Sequence, residues 1–132
     1  MRGSVQNFDV EIVEDLDLRV VRVLSPVTSD DILSLMDSEF NKRQMLNLVW
    51  DFAPGSFQLL STDDLKHLLT ARLDRVRKRV GGHTVMIAHE MTEVTLMKWY
   101  KEFAETLGVS EVQFHIAPSM EEALTLIRGD QR

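Results

Sequence analysis

The stretch Met45-Leu46-Asn47-Leu48-Val49-Trp50-Asp51-Phe52-Ala53-Pro54-Gly55-Ser56, with Ser61-Thr62-Asp63-Asp64 soon after it, decides how this chain is read. An apolar run closes on an acid, a Pro-Gly turn follows, and hydroxyl and carboxyl side chains then open a helix. Near-continuous apolar character over so few residues marks a strand covered on both faces, which belongs at the centre of a sheet. Open α/β sheets bind their ligands in the crevice outside the carboxyl ends of the strands. Asp51, Phe52, Pro54, Gly55 and Ser56 are therefore candidate rim residues.

Outward from this strand the elements alternate. Upstream, Phe8, Val10 and Ile12 alternate with Asp9 and Glu11 as a half-buried strand does. Leu18 to Leu24 completes an antiparallel hairpin, its valines interrupted by Arg19 and Arg22. Thr28-Ser29-Asp30-Asp31 supplies capping oxygens to a helix bearing Ile32, Leu33, Met36 and Phe40 and ending near Asn41. Downstream, the stripe Leu65, Leu68, Leu69, Leu73, Val76 and Val80 predicts a single helix from Thr62 to the Gly81-Gly82 stop. Thr84 to Ala88 reads as the fourth strand, Thr92 to Leu107 as the third helix, and Val112, Phe114 and Ile116 as an edge strand. Pro118 and Ser119 open a last helix with Met120, Ala123, Leu124 and Ile127. The order β-β-α-β-α-β-α-β-α predicts one α/β domain over residues 5–129: a mixed five-stranded sheet, mostly parallel, with its first strand antiparallel and helices packed on it. Met1-Arg2-Gly3-Ser4 is left out of this reading.

Composition narrows the function classes. The 132 residues carry a net charge of -6, which argues against broad nucleic-acid binding. Without cysteine there is no thiolate nucleophile and no Cys-ligated zinc, and His67, His83, His89 and His115 lack metal-ligand spacing. No apolar run approaches the roughly 20 residues of a membrane span, so the expectation is a soluble, cytoplasmic protein without cofactor or metal. Each helix start carries acids, namely Asp30 and Asp31, Asp63 and Asp64, Glu93, and Glu121 and Glu122, which suit the helix dipole and disfavour phosphate there. Arg72, Arg75, Arg77, Lys78 and Arg79 read as a solvated face at a helix C-terminus, with docking of an acidic partner as the other reading.

Asp51, His89, Glu90 and His115 fall at or near strand ends and are expected on one rim. An acid and a histidine can exchange protons, but no Ser or Cys elbow accompanies them, and the expectation is not an enzyme. On the third helix Trp99 and Tyr100 point about 100° apart. With Val94 and Met97 they give more apolar surface than one sheet contact uses, which marks a partner or homodimer surface or a lipid-lined groove.

The element order, Leu48-Val49-Trp50-Asp51 and the closing Ser119-Met120-Glu121-Glu122-Ala123-Leu124 helix resemble the STAS (SpoIIAA-like) superfamily, and within it small bacterial STAS-like proteins of unassigned role. The resemblance spans Phe8 to Arg128. It implies helices stacked on one sheet face and a regulatory, protein-binding role like that of anti-sigma-factor antagonists. It also implies a phosphorylatable hydroxyl in an Asp-Ser-Ser-Gly-like step, where this chain has Ser61-Thr62-Asp63-Asp64, with no acid before the hydroxyls and no glycine after them. Read from the residues alone, Ser61 or Thr62 is a helix N-cap. The alternative function is a small apolar-ligand or lipid carrier, because CRAL-TRIO domains share a related α/β layout and Trp50, Phe52, Phe57, Trp99 and Phe103 would suit one.

Overall fold

Alternation along each strand gives every strand two usable faces, and the chain uses both. The computed structural model describes residues 2–5, 7–40 and 42–130. Six strands lie side by side in chain order: β1 Arg2–Val5, β2 Phe8–Val13, β3 Leu18–Val23, β4 Asn47–Phe52, β5 His83–Ile87 and β6 Gln113–Ala117. The sheet is antiparallel from β1 to β3 and parallel from β3 to β6. The five expected strands thus form the mixed sheet, and Arg2–Val5, which the sequence reading set aside, extends it as a sixth. Met1 lies outside the described residues.

Three crossovers advance the sheet in one direction. Right-handed crossovers that all step the same way must stack on the same face. Accordingly α1 (Ser29–Leu35), α2 (Thr62–Ala71) and α4 (Met91–Thr106) bring Ile32, Leu35, Leu65, Leu68 and Met97 onto Val21, Val23, Leu48, Phe52 and Met86. The last helix, α5 (Met120–Asp130), lies across the opposite face. There Ala123 and Ile127 cover Leu18, Val20, Val49, Val85 and Ile87. The helices therefore occupy both faces, which corrects the single-face stacking that the resemblance implies.

Two helices depart from the sequence pattern. The first passes from α1 into a π-helical turn, Met36–Phe40; its expected end at Asn41 lies outside the described residues. The second breaks at Arg72 (φ -128°, ψ 29°) and resumes as α3, Leu73–Arg77. The Thr70 hydroxyl donates to the carbonyls of Lys66 and His67, and the Arg72 guanidinium turns back to donate to the Ala71 carbonyl and to Asp37. Side chains that compete for helix carbonyls bend helices. Val80, expected on the apolar stripe, is exposed. Gly82 is required where it stands, because a Cβ there would collide with the Leu46 carbonyl oxygen.

Candidate functional site

The expected rim residues come from the loops after β4 and β5. After β4, Ala53-Pro54-Gly55-Ser56 closes a turn in which the Ser56 N-H donates to the Ala53 carbonyl at 2.9 Å and Gly55 holds φ 83°. Pro followed by a positive-φ glycine is the type II pattern. The turn throws Phe57 back under the sheet, where its ring meets Phe52 at 4.2 Å, and encloses Ser56. Of the five expected rim residues here, Asp51 is half-buried, Pro54 and Gly55 are exposed, and Phe52 and Ser56 belong to the interior.

After β5, the loop is held by Glu93. This carboxylate is almost wholly buried, and its Oε1 accepts the backbone N-H groups of His89 (2.9 Å) and Glu90 (3.2 Å). Glu93 thereby fixes the turn from which His89 reaches across to β4. The His89 Nε2 meets Asp51 Oδ1 at 3.0 Å. Glu90 is the exposed residue preceding α4. His115, expected on this rim, is not there: it lies within β6, and its Nε2 contacts His83 Nδ1 at 2.9 Å. Parallel register explains the placement, since His83 sits beside Gln113 and His115 beside Val85, well before the strand ends at Ala117.

Ser61 is a helix cap in a reciprocal arrangement. Its Oγ accepts from the Asp64 N-H at 3.2 Å, while Asp64 Oδ2 accepts from the Ser61 N-H at 2.8 Å and from the Ser61 hydroxyl at 3.0 Å. The Ser61 backbone bond chiefly holds the Asp64 carboxyl below the usual carboxylate range. Thr62 is the exposed first residue of α2.

The expected surface on α4 is largely turned inward. Met97 is fully buried, and Val94, Trp99 and Tyr100 pack against the same core, with Trp99 stacked on Phe103 at 5.4 Å. Burial raises the Tyr100 phenol to about 12. Beneath these side chains lies an apolar cavity of about 60 Å³, walled by Trp50, Phe52, Phe57, Met86, Met97 and Tyr100 among others. Strand alternation puts Asp51 on the opposite sheet face from Trp50 and Phe52, so neither Asp51 nor His89 lines it.

Two features escaped the sequence reading. Leu24, Leu59 and Met91, exposed by 57%, 52% and 78%, stand at the same carboxyl rim, following β3, following β4 and opening α4. At the other end of the sheet Arg19, Asn47 and Arg79 are enclosed, with 4%, 1% and 9% exposure. Arg79 bonds the carbonyls of Leu46 and His83 and the Thr84 hydroxyl, and Asn47 joins the Leu16 carbonyl to the His83 N-H. A lone arginine in a strand and a cationic helix end carry no periodic mark of burial, which is why the sequence concealed them. Among the described residues no three potential metal-ligating side chains cluster, and no helix is long and apolar enough to cross a membrane. Comparison with protein-family models, curated proteins and solved structures finds no match for this chain.

Proposed function

We propose that the chain is a non-enzymatic, STAS-like regulatory module that binds a protein partner through its carboxyl rim. The observation that carries this reading is the exposure of Leu24, Leu59 and Met91 together, beside the Asp51 and His89 pair. Large apolar side chains left exposed at one end of a sheet offer contacts to a partner. The rim is also acidic, with Asp30, Asp31, Asp63 and Glu90 exposed at the helix starts. Its complement is a protein surface with apolar contacts edged by Lys or Arg. A second copy of this chain is a weaker fit, because two acidic rims repel.

The Ser61 cap argues against a phosphorylation switch. A phosphate there would displace the bonds to Asp64 and meet the charges of Asp63 and Asp64. The carrier alternative is disfavoured by size. A cavity of about 60 Å³ is below the roughly 150 Å³ that admits benzene, and a lipid would have to part α2 from α4.

A photo-crosslinker placed in cells at Leu59 or Met91, with Val80 as control, tests the reading. One shared adduct is expected from the two rim positions and none from Val80. The adduct's protein, once purified, should bind wild type and lose about tenfold in affinity for Leu59→Asp, a change of about 1.4 kcal/mol. A lipid mass retained in native mass spectrometry, or partner binding indifferent to Leu59→Asp, contradicts it.

A further inference from the structure

The cations that the sequence assigns to a solvated helix face surround a hollow at the amino ends of the strands. A cleft of about 510 Å³ opens beside the α2–α3 break, with Phe40, Gln44, Arg72, Asp74, Arg75 and Lys78 in its wall. A smaller cavity shares Phe40, Gln44 and Arg75 with it and adds Arg19 and Arg79. Five cations thus face this region, against the carboxylates of Asp37, Glu39 and Asp74. Asp37 is already engaged by Arg72 at 2.7 Å and Arg75 at 3.7 Å.

Arg79 holds its charge without an acid, while Arg19 has the Glu39 carboxylate in its field. Arg19 Nη2 donates to the carbonyls of Glu39 and Arg43, its plane lies over the Phe40 ring at 4.6 Å, and its buried Nε has no partner. Arg79 donates only to neutral oxygens. Burial brings Arg79 down to about 10, which still leaves it charged at neutral pH. A helix C-terminus ordinarily repels anions, but here the ends are covered: Arg72 donates to the Ala71 carbonyl and Arg75 to that of Met36. A buried cation that meets only neutral acceptors, as Arg79 does, is costly unless something neutralises it.

We propose that this cleft binds a small organic phosphate. Its dianionic group is held by Arg72, Arg75 and Lys78 in the field of Arg19 and Arg79, and its organic part lies against Phe40. Guanidinium forks match phosphate geometry, and the cleft volume falls within the range of small-ligand pockets. An acidic protein segment suits it less well, because it would spread its carboxylates beyond the cleft onto a chain of net charge -6, whereas a small anion lies within the ring of cations. The inference does not depend on the rim reading.

Calorimetric titration of the purified protein with phenyl phosphate, inorganic phosphate and succinate, in a buffer free of phosphate, tests it. Phenyl phosphate should bind most tightly. Arg75→Gln and Lys78→Gln should each weaken it about tenfold, as loss of a charge-assisted hydrogen bond does. Asp37→Asn, which releases Arg72 and Arg75, should tighten it. Thermal unfolding of each variant shows that it is folded. Preference for succinate, binding unchanged by all three substitutions, absence of heat at millimolar phosphate, or tighter binding of hexaglutamate than of phenyl phosphate would each overturn the proposal.

Discussion

At the amino ends of the strands Arg19, Asn47 and Arg79 are enclosed and tied to loop carbonyls, whereas at the carboxyl ends Leu24, Leu59 and Met91 stand in solvent beside Asp51 and His89. The inversion follows from what each end must do. Polar side chains under the amino-end loops fix the loops' course, because each loop carbonyl needs a donor once water is excluded. Apolar side chains on the carboxyl loops fix nothing in the monomer. Their stabilisation is available only to a complex. One end is therefore expected to be sensitive to substitution in stability, and the other in association.

The contrast can be broken most easily at Arg79. Arg79→Ala removes the donor from three acceptors, two of them in buried bonds, and unfolding in urea should show a loss of about 3 kcal/mol. A loss under about 1 kcal/mol would mean that water enters the amino end and that the enclosure is not real. Glu93 is the carboxyl end's own buried anchor and sharpens the comparison. Glu93→Ala should cost about 2 kcal/mol and also release His89 from Asp51, seen as a changed His89 ring signal in NMR. Ser61→Ala should cost about 1 kcal/mol, the usual value of an N-cap, in the same urea measurement. Met91→Ser should change stability by no more than about 0.5 kcal/mol while weakening partner binding.

The smallest expected effect concerns pH. Hydrogen bonding from Arg72 chiefly holds the Asp37 carboxyl below its ordinary 3.8. A carboxyl lowered in the folded state contributes stability above that ordinary value and loses it as pH falls through the folded value. Asp37→Asn should therefore differ slightly from wild type at neutral pH, and the difference should vanish in acid. A difference that grows on acidification would remove the ion pair from the account.

Much of the carboxyl rim was legible because strand ends are announced by apolar runs. Leu48-Val49-Trp50 closing on Asp51, and Thr84 to Ala88 closing on His89, place both partners of the 3.0 Å contact before any coordinates. The cap at Ser61 was legible for a similar local reason, since the Ser-x-x-Asp spacing is itself the bond pattern. The amino end was opaque. Leu73 and Val76 stay in phase with the α2 stripe, so periodicity runs straight through the break at Arg72. Arg79 reads as a dipole-matched surface cation, although folding wraps Leu46 and His83 around it. His115 misled because a strand's alternation says which face a side chain takes but not how far the neighbouring strand extends.

Charge sorting between the two ends is the central claim, and titration of inorganic phosphate into ¹⁵N-labelled protein tests it in one spectrum. The account predicts amide shifts at Phe40, Gln44 and Arg72 to Lys78, with Leu59, Ser61 to Asp64 and Met91 unmoved. Shifts at the acidic helix starts, or no shifts around Arg75, would contradict it.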